Sequence, residues 1–403
     1  MRTSNQGKHT ERTQADFRDK TYSMTRAIRY TFLLLSVLVL PAQAAVLPED
    51  RTDVLYHRYD GGGVTIDGPS VLVRKDIANK VSVWGNYYLD MVTSASPDVL
   101  TQGSPYTEER TETSAGIDYL HSRTTMSLGY TQSSESDYEA ETVAFGISQD
   151  FFGDLSTISL GYSQGNDTVM RNGSPDFAEP AHHQRFSISW TQILTKNWII
   201  AANAETVLDE GFLNNAYRSV RYLQPNGNVG FQPERYPTTR SSDAFAIRSM
   251  YYLPYRASIR FEARTFNDSW DIQANNFEFR YIHPYRDRFI FEGKIRNYSQ
   301  TQASFYSDLF PYFDAQNFLA SDKEMSEFTN LTIGLGVSYE LKNTWMPFFE
   351  RTTVNFFWDN MSFDYANYSY KVVGEGQTAP ALGEEPLYSF NANVIRFFLS
   401  AWY

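Results

Sequence analysis

Three consecutive stretches place acids and bases two residues apart, the spacing that puts side chains on one face of a β-strand. Over 257–265 one side carries Ser258, Arg260, Glu262 and Arg264. Over 275–281 it carries Asn276, Glu278 and Arg280, and over 289–298 it carries Glu292, Lys294 and Arg296. The intervening positions are apolar: Ile259 and Phe261, then Phe277, Phe279 and Tyr281, then Phe291 and Ile295. Turns centred near Ser269 and Arg286 set Arg260 across from Glu278, Glu278 across from Lys294, and Arg280 across from Glu292. Partners directly across a sheet sit about 5 Å apart, so these charges form an ion-pair ladder. Such a ladder either fills and stiffens an interior or makes a charged constriction that sorts solutes. The signs balance locally, so a strong preference for anions or cations is not expected.

The other reactive residue types point to little chemistry. Of six histidines, His9 lies near the start, and His57, His121, His182, His183 and His283 fall in loops or in or near strand ends. Catalysis by a Ser–His or Asp–His pair needs a base that a third group orients. The chain has no G-x-S-x-G elbow, no H-E-x-x-H and no P-loop, so no enzyme and no cofactor are expected. His182-His183 reads as a loop pair, since neighbours on a strand face opposite ways. The Asp60-Gly61-Gly62-Gly63 run with Asp67 gathers oxygens of the kind calcium takes. Its spacing matches no calcium loop, so a tight hairpin with solvated aspartates is the simpler reading. The aromatic runs Phe305-Tyr306 and Phe310-Pro311-Tyr312-Phe313 could stack on sugars or dock a partner. Packed loop or interface girdle is the commoner use of such residues. With no cysteine, disulfides and thiolate metal sites are excluded. A net charge of −12 argues against nucleic acid as a partner.

Elements that could position the charged stripe recur along the chain. Met126, Leu128 and Tyr130 alternate with Ser127 and Gly129, and Val143, Phe145 and Ile147 with Ala144 and Gly146. Ile158, Leu160 and Tyr162 alternate with Ser159 and Gly161, and Leu331, Ile333, Leu335, Val337 and Tyr339 with Thr332, Gly334, Gly336 and Ser338. One face suits lipid and the other is small or polar, the pattern of a transmembrane barrel. Connections alternate short and long. The short ones are 76–79, 122–123, 152–154, 195–197, 254–256, 283–288 and 342–347. The long ones are 93–107, 164–182, 210–240, 301–326 and 371–386; 134–137 and 267–271 break the rule by being short. The fold class is therefore all-β: an antiparallel up-and-down barrel of about sixteen strands, with residues 52–60 supplying the last one. About fourteen is the alternative, if the N-terminal segment lies inside the lumen.

The ends agree with this. At the C-terminus Ile395, Phe397, Leu399, Ala401 and Tyr403 form one side of a closing strand, resembling the signal that barrel-assembly machinery reads on outer-membrane proteins. Near the N-terminus, Arg26 and Arg29 precede the apolar run 33–40, and Ala42-Gln43-Ala44 follows it. That reads as a secretory signal over 1–44 cleaved after Ala44, with Met24 the more natural start. Residues 45–403 then form one domain, placed in an outer membrane with its lipid as solvent.

The stretch from Tyr59 through Asp60-Gly61-Gly62-Gly63 and Asp67-Gly68-Pro69 to Lys75 is followed by Asp90–Val99 and Ser104–Arg110. Together these resemble an uncharacterised family of Gram-negative bacteria, domain of unknown function 3570, over nearly all of the chain after the signal. The resemblance implies an envelope location but no catalytic residues. Porin-like passage or support of secretion is the leading expectation. A closed barrel docking an envelope protein partner is the second, and an outer-membrane hydrolase trails both.

Overall fold

A strand that alternates apolar and polar residues can bury neither face in one core, and closing the sheet on itself resolves this by giving the faces different surroundings. The computed structural model describes residues 46–94, 106–342, 347–372, 378 and 380–403. The leader expected over 1–44 lies outside them. The strands are β1 (Arg51–Gly61), β2 (Val64–Ile77), β3 (Val81–Ser94), β4 (Tyr106–His121), β5 (Thr124–Ser134), β6 (Tyr138–Phe151), β7 (Ser156–Met170), β8 (Ala178–Thr195) and β9 (Trp198–Gly211). They continue as β10 (Ser219–Leu223), β11 (Val229–Pro233), β12 (Thr239–Tyr252), β13 (Ser258–Asp268), β14 (Gln273–Tyr285), β15 (Phe289–Gln300), β16 (Phe328–Glu340), β17 (Arg351–Ser369) and β18 (Leu387–Trp402). All but β10 and β11 join one closed antiparallel barrel of 16 strands in sequential order. No helix among the described residues is long and apolar enough to cross a membrane.

The seam closes where β1 meets β18, in continuous register from Arg51 opposite Trp402 to Gly61 opposite Ala392. The N-terminal segment is thus wall, and the fourteen-strand alternative with that segment inside the lumen is set aside. The β1–β2 turn falls on Gly62 and Gly63, both at positive φ (60° and 77°), where a side chain would be strained.

The chain enters β1 and leaves β18 at the same rim, called lower here. Lower connections are short except 341–350, between β16 and β17. Two of the connections differ from the sequence reading. The expected loop over 164–182 shrinks to 171–177, because β7 and β8 remain paired from Asn166–His182 up to Met170–Ala178. Polarity in that stretch marks solvent around the strands, not their ends. Similarly β14 runs on through His283 and Pro284 to Tyr285. The connections expected over 93–107, 342–347 and 371–386 lie partly outside the described residues.

The upper rim from β12 to β18 carries a second layer. The 212–238 connection holds the β10–β11 hairpin. Bridges from Tyr222 to Phe310 and from Arg235 to Leu319 tie this hairpin to the 301–327 connection. Tyr236, Trp270, Ile272, Phe305, Tyr306 and Ala320 form its apolar core, and Val220, Phe310 and Leu319 form a second cluster.

Candidate functional site

The charged stripe lies on the inner wall, as its alternation implies. Phe261, Phe279 and Ile295 stay 44–48% exposed on the outside, while Glu262, Arg280 and Lys294 on the other face are half-buried. The cross-strand partners differ from those expected. Arg260 faces Arg280 and Glu262 faces Glu278; Arg280 faces Lys294 and Glu278 faces Arg296. Both hairpins turn one residue later than the sequence suggests: Trp270 and Ile272 are drawn into the rim core at the first turn, and β14 runs on to Tyr285 before the second. Moving a turn centre by one residue moves the register by two, which changes partners and keeps faces.

Like charges directly opposite one another are tolerated because each side chain leans to a neighbour of opposite sign. Arg280 reaches Glu278 on its own strand and Glu292 diagonally, both at 2.8 Å. Arg280 and Glu292 therefore do pair, though not from opposite positions. Glu262 takes Arg260 at 2.8 Å and Arg248 of β12 at 2.7 Å. Lys294 spans to Asp359 of β17 at 2.8 Å, where Arg396 of β18 also arrives at 2.9 Å. Arg264 lies 3.6 Å from Glu205, which Arg185 already engages, and Arg296 donates to Asn276. The network thus runs well beyond the three strands read from sequence. Arg248, Asp359, Glu205 and Arg185 were missed, although each sits at inward parity on its strand. Asp359 is hidden in sequence by the aromatic residues around it in Phe356-Phe357-Trp358.

Opposite this wall the interior is lined by small residues. In a sixteen-strand closed order β15 faces β5 across the barrel, and inward positions on β5 and β6 include Ser127, Gly129, Ala144 and Gly146. On β4, which faces β14, Ser114 and Gly116 lie between Arg110 and Glu112, which pair with each other, and Asp118, which pairs with Arg74. Trp84 of β3 lies flat on this wall: a Cβ at Gly116 would stand 2.5 Å from its ring, so only glycine lets the indole fold aside.

Above the stripe the three upper connections interlock. Arg221 of β10 pairs with Asp308 at 3.1 Å and with Glu385 at 2.7 Å. Lys371 joins Asp308 from the third connection at 2.6 Å, and Arg218 reaches Asp322 at 2.6 Å. Glu234, almost wholly buried, accepts from the Tyr236 hydroxyl at 3.0 Å and the Ser321 amide at 2.8 Å. Burial, with Asp322 nearby, pushes its carboxyl up to about 7. Phe305, Tyr306 and Phe310 of the aromatic runs are core of this layer, whereas Tyr312 and Phe313 are exposed.

The remaining candidates do not converge on a reaction. Gly61 ends β1, and Gly62 and Gly63 make the β1–β2 turn. Asp60 pairs with Arg58 at 3.1 Å and Asp67 accepts from Tyr56 at 3.0 Å, so the two aspartates serve separate outer-face contacts. Among the described residues, the group whose ligand atoms come within 4.8 Å of one another is instead Glu108, Glu135 and Asp137, at the upper rim. His182 and His183 lie on β8 and not in a loop. His183 sits between Asp167 and Asp209 at 3.1 and 2.8 Å, whereas His182 bonds to Asn166. His57 bonds to Asp90 at 2.7 Å and to the Tyr88 hydroxyl at 3.1 Å. Phe397 and Leu399 face outward on β18. Tyr403, just past the strand, donates to the Arg74 carbonyl at 3.1 Å and lies under the Lys75 ammonium at 5.0 Å.

The family model described as protein of unknown function (DUF3570) matches residues 98–349, more than half of the chain. The chain belongs to this family. The matched span begins beyond Tyr59–Lys75, so the most distinctive stretch of the resemblance lies upstream of it, and the match is shorter than nearly the whole chain. No curated protein matches. Among solved structures the family member is similar to the siderophore receptor PirA of Pseudomonas aeruginosa, at 9% identity and a TM-score of 0.43. That likeness covers 80% of this chain and 60% of the receptor, so the chain spans less than two thirds of its length. A bacterial polysaccharide outer membrane secretin is similar at 6% identity and a TM-score of 0.45, over 89% of this chain and all of that one. OccK2 of Pseudomonas aeruginosa, solved in complex with glucuronate, is similar at 10% and 0.41, over 88% of this chain and 99% of that one.

Proposed function

We propose that this protein spans the outer membrane of a Gram-negative cell and passes small polar solutes through its lumen. The observation that carries the reading is the asymmetric inner wall, with long charged side chains on β12–β15 and small ones such as Ser127, Gly129, Ala144 and Gly146 on β5 and β6, while the charges of β4 are held in pairs. A barrel stiffened by charge alone would be expected to carry long side chains on β5 and β6 too; the small residues there leave room. The outward band of Val54, Tyr56, Phe261, Phe279, Leu335 and Phe397, all exposed, supports lipid as the solvent. In this reading residues 1–44 direct export, the barrel-assembly machinery takes up the C-terminal strand, and short connections face the periplasm.

The interlocked upper layer favours a second reading, a closed barrel that docks an envelope partner. Fractionation of cells on a density gradient tests the location, and reconstitution in planar bilayers tests the passage. Discrete conductance steps are expected. A folded, outer-membrane barrel without any conductance would leave the docking reading in its place.

A further inference from the structure

Two guanidiniums of the inner wall are left without a close carboxylate. Arg296 has the Asn276 side-chain oxygen and, with its guanidinium carbon 5.9 Å from the centroid, the Tyr298 ring. Among the described residues it forms no ion pair. Arg264 has only Glu205, 3.6 Å away and held more closely by Arg185. Both line one recess of about 470 Å³ beneath the 301–327 connection, with Phe266, Tyr298 and Asn276. The wall glutamates there are already committed, Glu262 to Arg248 and Arg260, and Glu278 to Arg280. Arg240, also on the recess, is neutralised by Asp268, whose side chain is fully buried. Glu324 of the overlying connection contributes the one further acid among the lining residues, and it is exposed.

We propose that this recess is a binding subsite for a small organic carboxylate bearing a ring. A guanidinium presents a planar fork of donors matched to a carboxylate, and two such forks stand here in a site with an aromatic wall. Phe266 and Tyr298 take the ring face, and Asn276 lies between Arg264 and Tyr298 in the sheet register. The volume falls in the range of small-molecule sites. The proposal rests on the passage reading, since a solute reaches the recess by entering the lumen. It also amends the expectation of locally balanced charge: the leaning ion pairs use up the acids and leave Arg264 and Arg296 over.

The test titrates the folded barrel in detergent with benzoate by calorimetry, with benzamide as the neutral isostere and benzylamine as the cation. Conductance and reversal potential are measured in parallel on the same preparation. Saturable binding of benzoate alone is expected, with Arg264→Gln and Arg296→Gln each weakening it roughly tenfold, the loss of one charge-assisted hydrogen bond. Arg256→Gln, on a lower turn, should change nothing. Absence of saturable benzoate binding, equal binding of benzamide, or unchanged affinity in both variants overturns the subsite. The comparison of benzoate with benzamide uses the native chain and does not depend on the variants folding. Conductance without benzoate binding removes the subsite and keeps passage; benzoate binding without conductance keeps the subsite and removes passage.

Discussion

At the residue scale, Arg280 concentrates the logic of the inner wall. Its side chain joins Glu278 and Glu292 while Arg260 and Lys294 stand opposite it. Arg280→Glu would remove the cation that Glu278 and Glu292 share and put a third carboxylate beside them, with Arg260 and Lys294 directly across from it. Losing one partner of a partly buried pair costs on the order of 3 kcal/mol, so the temperature at which the barrel loses its compact gel mobility should fall. Cation over anion permeability should rise in the same variant. If both stay at their native values, the charges are idle. The face of this residue and its pairing with Glu292 were legible in the sequence; the residues directly opposite it were not. Alternation fixes which side of the sheet a side chain takes, and a two-residue error in register preserves that side. At the β13–β14 turn Trp270 and Ile272 sink into a rim core, a long-range contact that no local pattern announces.

At the element scale, the upper layer is the part least visible in the sequence. Its connections read as long polar loops with stray aromatics, whereas they pack Tyr236, Trp270 and Phe305 against one another with ring centroids 5.2–5.5 Å apart. Glu234 makes this layer sensitive to pH. Its carboxyl titrates about 7 when the layer is closed, against a usual 4.5, so the closed form holds the proton more tightly. Closure is then at full strength below the usual value and is lost as pH rises through about 7. At about 1.4 kcal/mol for each unit, the loss is roughly 3 kcal/mol. Hydrogen exchange of residues 301–327 should therefore quicken between pH 5 and pH 8, after correction for intrinsic chemistry. Glu234→Gln, which keeps a polar group without the charge, should hold exchange constant over that range. A native profile that is flat, or a variant profile that still rises, removes Glu234 as the cause. Arg221 offers a separate lever on the same element. Arg221→Ala strands Glu385 and leaves Asp308 with Lys371 alone, so the layer should open at any pH and conductance should increase. Unchanged conductance would mean the layer does not limit passage.

At the scale of the whole molecule, everything depends on the barrel being closed by its own ends. The sequence was informative here because the C-terminal strand alternates, and an even count required a further strand at 52–60, turning at the glycines. Their pairing places Val54 opposite Leu399 on the outer face. The chain has no cysteine, so a cross-link at the seam can be introduced without competition. Directly opposed residues have Cα atoms about 4.5–5.5 Å apart, within the reach of a disulfide. Val54→Cys with Leu399→Cys should therefore oxidise to a closed ring that migrates differently from the reduced chain after boiling. Val54→Cys with Phe397→Cys, two residues out of register, should cross-link far less. Equal yields for the two pairs would mean a loose seam. Tyr403 bears on the same joint from the lower rim, where its hydroxyl reaches Arg74 of β2 beyond β1. One residue thus ties the last strand to the second across the first. Deleting it should slow assembly in cells and also lower the yield of the correct cross-link in the protein that does assemble. The second effect distinguishes a structural clasp from an address alone: a residue read only during insertion would leave the seam of the finished barrel unchanged.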